Sequence, residues 1–199
     1  MRSDARRNRE RLLQAAETMF RERGIDVSVG DIADAAGVGR GTLFRNFASK
    51  DALIAAVVAD RISELLDYGR GLLEGDGDDA EVMFTFLSGL AERQERNRAL
   101  LQAVSDDLVA SVPELRAAHA ALLELLGALL ARGKRAGSVR PEAGAADVLF
   151  LVKSLCTVTP AGAPVPGQTA IRHLDLVRAA LSTPEYSRPL RGEPAPLRP

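Results

Sequence analysis

An all-α fold is what this chain of 199 residues predicts, and three observations carry the prediction. Apolar residues recur at helical three- and four-residue spacing from residue 12 to residue 181. The rows are interrupted by helix-stop and helix-start chemistry: Gly24, Ser28, Gly37, Ser49, Pro113 and Gly137. The composition, 46% hydrophobic and 27% charged, is that of a chain able to bury a sizeable core in one or two domains.

The first helix, from Arg11-Leu12-Leu13-Gln14-Ala15-Ala16 to Phe20, stops at Gly24, which can adopt a left-handed conformation. Ser28 is a good N-cap for the next helix, with Asp31 near its positive end. Ile32, Ala33 and Ala36 share one face of that helix. Small side chains at Ala33 and Gly37 let two helices approach closely. Gly37 permits the sharp turn and Val38 plugs it.

A second short helix begins near Gly39 or Arg40 and runs to about Phe47. At about 100° per residue, Leu43 and Phe47 face the core. Gly41, Thr42 and Arg45 point the other way, with Arg40, Phe44 and Asn46 on the flanks. Two short helices joined by a tight turn are a common means of placing a helix end in the DNA major groove. Arg prefers guanine, Asn prefers adenine, and Thr serves either base. Gly41 costs about 1 kcal/mol relative to Ala inside a helix, which close approach to DNA would explain. An ordinary helical hairpin with a solvated polar face is the alternative on these residues alone.

The body reads as helices throughout. A long amphipathic segment starts at a Ser49 cap and passes through Leu53, Val57, Ile62, Leu65 and Leu66 to about Leu73. The run from Glu74 to Asp79 is a polar Gly/Asp break and the strongest boundary signal; its ligand spacing does not fit a calcium loop. Helices are expected at about 79–96, 98–110, 113–135, 142–158 and 168–181. Pro113 suits a first-turn position. Pro160 to Gly167 is a loop. From Thr183 to Pro199 the chain holds five of its ten prolines and is expected to be disordered.

The segment from the first helix through Leu53 resembles the N-terminal domain of the TetR (tetracycline-repressor) family of transcriptional regulators. The matching pieces are the first helix, Gly24, Asp31-Ile32-Ala33 and Ala36-Gly37-Val38, then Gly41-Thr42-Leu43-Phe44 and Phe47-Ala48-Ser49-Lys50, ending in Asp51-Ala52-Leu53. The resemblance implies a three-helix helix-turn-helix domain over 6–64, with its motif at about 28–47. A helical ligand-binding and dimerisation bundle would follow over 79–182, and the tail over 183–199.

By this resemblance Arg40, Gly41, Thr42, Phe44 and Asn46 match DNA-contacting positions, and Lys50 a phosphate contact. Ser28 and Arg45 complete the expected DNA-binding set. Family members often carry Ser or Thr at the position of Gly39, Tyr at Phe44 and His at Asn46. Phe44 therefore lacks a hydroxyl that could bond a phosphate. The expected partners are a palindromic double-stranded operator, a second copy of the chain joined through the last two helices, and an unknown small-molecule effector. Geometry favours the dimer, because two-fold pairing places two readers about 34–36 Å apart, one turn of DNA.

Candidate seam rows are Val148, Leu149, Val152 and Leu155, then Ile171, Leu174, Val177 and Leu181. Alternatively both helices simply finish the monomer core. A candidate effector pocket takes Phe84 and Leu87 (with Phe86 and Leu90 on their helix), then Leu101, Val104 and Leu108. His119, Leu122 and Leu126 continue it (on a stripe with Leu115 and Leu129), backed by Leu151 and Leu155. A filled core would use the same residues. His119 reads first as a hydrogen-bonded core histidine and second as a ligand contact; His173 reads as structural or exposed.

Over residues 1–50 ten Lys and Arg stand against seven Asp and Glu, a balance of +3, whereas the whole chain is −1 and the remainder therefore −4. A basic front on a slightly acidic body suits a protein that holds DNA at one end. The Arg2-to-Arg11 cluster is compatible with an arm reaching an adjacent groove or phosphate and with a solvated, disordered start. No signal-peptide run or membrane-length apolar stretch is present. The single Cys156 fits a cytoplasmic core position.

Two His, one Cys and no metal-ligand spacing place no nucleophile–base pair, so neither an enzyme nor a metal or cofactor site is expected. The expectation is thus a cytoplasmic, ligand-responsive, homodimeric repressor. The alternatives are a DNA-binding regulator without a small-molecule ligand and, behind it, a helical enzyme or carrier.

Overall fold

The computed structural model describes residues 2–94, 104–157 and 166–191, with side chains over 4–90, 104–152 and 171–191. Among them lie nine α-helices. The first four are α1 (Arg2–Arg23), α2 (Val29–Ala35), α3 (Arg40–Asn46) and α4 (Lys50–Glu74). They are followed by α5 (Val82–Gln94), α6 (Asp106–Ser111), α7 (Pro113–Arg135), α8 (Ala145–Thr157) and α9 (Pro166–Leu181). A 3-10 turn spans Pro184–Tyr186. The chain forms two compact units that do not follow chain order: residues 1–64 with 96–120, and residues 65–95 with 121–199.

In the first unit α1, α2 and α3 pack against one another in all three pairings. Leu12, Ala16, Phe20, Ile32, Ala33, Leu43 and Phe47 supply their shared core, joined by Leu53 and Val57 of α4. Gly24 ends α1 at φ +78°, and its N–H donates to the Phe20 carbonyl at 3.0 Å. α1 starts at Arg2, well before the expected Arg11, so the arginine cluster lies on a helix and not in a disordered start. One of its members is already engaged. Arg9 donates to both Glu114 carboxylate oxygens, at 2.9 and 3.1 Å, and its guanidinium lies 5.0 Å from the Phe47 ring centroid. Arg61 similarly bridges Glu17 of α1 and Glu64 of its own helix.

The second unit is organised by α9, which contacts α5 and α8. Val82, Met83, Phe86, Leu87, Leu126, Leu129, Val148, Leu174, Val177 and Leu181 are buried there. Tyr68 stacks on Phe86 with ring centroids 5.9 Å apart, and its hydroxyl donates to the Thr85 carbonyl. Residues 138–140 pair with 181–183: the Arg140 N–H donates to the Leu181 carbonyl at 2.9 Å and the Thr183 N–H to the Ser138 carbonyl at 3.0 Å. That pairing ties the end of α9 to the turn after α7.

Several helix ends move from their expected places for local reasons. α5 begins at Val82, because the Asp78 carboxylate accepts from the Ala80 N–H at 2.9 Å and holds 78–81 as a turn. α8 begins at Ala145, after the Asp147 carboxylate accepts from the Gly144 N–H at 2.8 Å. Ser105 caps α6 by accepting from the Leu108 N–H. The earlier part of the helix expected at 98–110 lies outside the described residues, as does most of the 160–167 loop.

The expected disorder of the tail is corrected over its first half. Arg191 donates through its backbone N–H, Nε and Nη2 to the Asp175 carboxylate, at 2.7–3.1 Å. Arg188 donates to Glu81 at 2.8 Å, alongside the two-pronged bond from Arg178. Residues 192–199 lie outside the described residues. Arg191 beside Asp175 holds that carboxyl below its ordinary value, against an opposing effect of burial. A depressed folded-state value contributes stability that is complete above the unfolded value of 3.8 and disappears as pH falls through the lower folded one. Thermal midpoints of wild type and Asp175→Asn should therefore differ at pH 7, begin to converge below about pH 4 and meet as pH falls through the lowered folded-state value. An unchanged gap at acid pH would show that the carboxylate's charge is not what anchors 188–191.

Candidate nucleic-acid interface

The α2–turn–α3 segment is built by short-range chemistry. Ser28 caps α2: its hydroxyl accepts from the Asp31 N–H at 3.1 Å and donates to the Asp31 carboxylate at 2.7 Å. Gly37 makes the turn at φ +63°, and a Cβ there would also meet Arg11 Nη2 at 2.6 Å. The Val38 N–H closes the turn onto the Ala33 carbonyl at 3.0 Å. α3 is N-capped by Gly39 without a side-chain bond and stops at Phe47, which leaves the helical region at φ −137°, ψ 114°.

A seven-residue helix is too short to be stable alone in water, so α3 depends on its anchors. Leu43 is fully buried and Phe47 nearly so. The outward side presents Arg40, Gly41, Phe44 and Arg45 as exposed residues, with Thr42 and Asn46 half-buried. Thr42 organises two of its neighbours: Arg45 Nη2 donates to its hydroxyl at 3.0 Å, and Asn46 Nδ2 donates to its carbonyl at 2.8 Å. The Arg40 guanidinium lies over α2, in the space a side chain at Gly30 would need. Gly41 differs from both Gly30 and Gly37, because a Cβ there would meet nothing within 4 Å.

Lys50 opens α4, half-buried, directly after Ser49, whose hydroxyl accepts from the Ala52 N–H at 3.1 Å. A cation beside unsatisfied amides at a helix start suits a phosphate group. All eight residues expected at the interface therefore sit on α2, α3 and the first residue of α4 or cap them, and none is buried. Sequence reasoning missed Arg9, which lies over the Phe47 ring at the end of α3 and pairs with Glu114; no local pattern signals a contact 105 residues away.

The candidate effector residues are distributed differently. Phe84, Leu87 and Leu126 are buried in the second unit, where Leu122 and Leu151 are half-buried. Val104, Leu108 and His119 are half-buried members of the first unit. Leu101 and the side chains of Leu155 and Cys156 lie outside the described residues. Arg178 sits 4.0 Å from the centroid of the Phe84 ring while paired to Glu81, whose carboxyl that hydrogen bond holds below its ordinary value. Burial pushes the His173 imidazole down, opposed by its hydrogen bond to the Leu151 backbone. No helix among the described residues is long and apolar enough to cross a membrane, and no cluster of three metal-ligating side chains occurs among them.

Residues 12–57 match the family described as "Bacterial regulatory proteins, tetR family", and residues 78–183 match "Transcriptional regulator SbtR-like, C-terminal domain". An HTH-type transcriptional regulator of Staphylococcus aureus (strain USA300) is 32% identical over 105 residues, which is 52% of this chain and 57% of that protein. The chain thus spans little more than half the length of the curated relatives it matches first. Among solved structures, the TetR transcription regulatory protein from Mycobacterium vanbaalenii is similar, with 33% identity, a TM-score of 0.62, 92% of this chain covered and 99% of the other. The FadR protein of Thermus thermophilus, a TetR-family transcriptional repressor solved in complex with lauroyl-CoA, shares 26% identity at a TM-score of 0.58, with 96% and 100% covered. With both family matches in chain order and more than half of the residues within the second, this chain belongs to the TetR family of transcriptional regulators.

Proposed function

We propose that the chain is a cytoplasmic, homodimeric repressor that binds a palindromic double-stranded operator and is released from it by a small-molecule effector. The observation that carries the DNA-binding step is the outward side of α3. It combines arginine, threonine and asparagine with a glycine that no protein neighbour requires. In this reading Arg40, Thr42, Arg45 and Asn46 meet base edges or nearby backbone, and Lys50 meets a phosphate. Arg9 is paired to Glu114 and would have to leave that carboxylate to meet a phosphate.

Pairing of two chains is supported by apolar surface on the last two helices, although not by the rows expected from sequence. Val148, Leu174, Val177 and Leu181 are buried within the single chain, so they finish its core. Of those rows Ile171 stays exposed at 43%, and the surplus apolar surface comes from Phe150 at 73% and Leu176 at 49%. Leu149 and Val152 are half-buried. A partner helix pair would cover Phe150, Ile171 and Leu176, and two-fold pairing is what a reader of two half-sites about one DNA turn apart requires. An effector that binds the helical body better in a second arrangement would shift the population away from operator binding. The lauroyl-CoA held by the Thermus relative suits an effector with a long apolar part.

The test is binding of the purified full chain to duplexes selected from random sequences, at several salt concentrations. Selective binding with two chains per duplex is expected. Arg45→Ala should weaken the selected duplex by about 1–3 kcal/mol while leaving nonspecific binding nearly unchanged. Lys50→Ala should weaken every duplex alike and reduce the slope of log affinity against log salt by about 1. Unchanged affinity in both variants would remove α3 and the start of α4 as the interface.

A further inference from the structure

Large apolar side chains are exposed at five described positions, and Phe44, at 51%, is the one that belongs to the first unit. It stands on α3 among polar groups that are partly committed. Arg45 is bonded to the Thr42 hydroxyl, Asn46 to the Thr42 carbonyl, and Arg40 lies against Gly30. Gly41 lies three residues before Phe44, one helical turn away on the same outward side. A Cβ at Gly41 would touch nothing, so the backbone beside the ring is bare for want of any internal reason.

An exposed aromatic ring one turn from helix backbone that no side chain approaches leaves room for a small apolar group beside the ring. In the major groove the apolar feature that distinguishes one base pair from another is the 5-methyl group of thymine. The ring carries no hydroxyl, so it can offer a phosphate or a base edge no conventional hydrogen bond.

We propose that Phe44 and Gly41 together read a pyrimidine 5-methyl group, so that each operator half-site requires thymine at one fixed position. This rests on the DNA-binding role proposed above. The ring covers the methyl, and Gly41 admits it without a side chain in the way. Specificity at that base pair then comes from removing the methyl from water, in addition to the hydrogen bonds of Arg45 and Thr42.

The probe is the tightest duplex that the full chain selects from random sequences, with each thymine replaced in turn by deoxyuridine, which deletes the methyl alone. Wild type should lose about fourfold in affinity at one position per half-site, the worth of about one buried methyl. The other thymines should be neutral. Phe44→Ala should bind the thymine duplex more weakly and no longer distinguish it from the uridine duplex. Gly41→Ala, whose fold is favoured by helix propensity, should lose the same discrimination. Arg45→Ala should bind weakly yet keep it. Circular dichroism and thermal midpoints at or above wild type for Phe44→Ala and Gly41→Ala keep these readings free of unfolding.

If no uridine substitution weakens wild type, or if Phe44→Ala still distinguishes the two duplexes, the methyl reader is overturned while DNA binding stands. If selection recovers no preferred sequence at any salt concentration, both the operator reading and the methyl reader fall.

Discussion

Arg132→Met is expected to lower the unfolding free energy by about 2–4 kcal/mol, although it removes a single side chain outside the apolar core. Arg132, in the last turn of α7, spends all five of its N–H donors. Nη1 bonds the Leu72 and Leu73 carbonyls at 3.1 and 3.0 Å, Nη2 bonds those of Gly75 and Gly77 at 3.2 and 3.1 Å, and Nε bonds Asp79. The last carbonyls of any helix have no intrahelical donor, and here one guanidinium closes those at the end of α4 together with the loop behind it.

Met keeps much of the stem's apolar packing and none of the donors, so the loss isolates the cage. Water reaches part of the loop and repays some of those bonds, which keeps the expected cost below the sum of five charge-assisted hydrogen bonds. Arg132→Lys supplies a charge without the planar fork and should recover less than half of the loss. The measurement is urea unfolding of the three proteins. A midpoint for Arg132→Met within 0.5 kcal/mol of wild type, on the urea slope, would show that solvent serves the carbonyls equally well.

The cage also shows where sequence legibility stopped. Glu74 to Asp79 was expected as a polar boundary because Gly and Asp disfavour helix, and that local inference holds for the end of α4. The loop's fastening was invisible, since Arg132 lies 53 residues beyond Asp79. The same divide runs through the chain. Gly24, Ser28, Gly37 and Ser49 act through bonds to residues three or four positions away, and each does what its local chemistry predicts.

Arg9 with Glu114, Arg178 and Arg188 with Glu81, and Arg191 with Asp175 join distant or weakly patterned segments, and no periodicity marks them. Periodicity also states which residues share a face without stating what covers it. On α8 Val148 is buried and Leu149 and Val152 are half-buried, while Phe150, outside the row, is the exposed large apolar side chain among the described residues. The outward positions of α3 were legible because a seven-residue helix with two strong anchors, Leu43 and Phe47, has little freedom in how it lies.

That dependence makes Leu43→Ala the most damaging single change expected in the DNA-binding segment. Leu43 is fully buried where α3 meets α1 and α2, and truncation leaves a cavity that three mutually supporting helices, two of them of seven residues, fill poorly. Buried Leu→Ala changes cost about 2–5 kcal/mol, and the cost here should lie in the upper half, because the helix has no intrinsic stability to fall back on. Operator affinity should fall by the fraction of molecules in which α3 is no longer presented, with the dissociation rate and nonspecific binding of the remaining molecules unchanged.

Leu43→Met, which nearly conserves volume, should cost less than about 1.5 kcal/mol and retain binding. Urea midpoints read alongside operator titrations separate the two consequences. Should Leu43→Ala keep its midpoint yet lose the operator, the side chain would be reading DNA and the assigned inner face of α3 would be wrong. Should both midpoint and affinity persist, α3 would be held by contacts other than the Leu43 and Phe47 anchors. The expected result, loss of both in proportion, ties recognition to the packing of two apolar side chains beneath a surface that is otherwise polar.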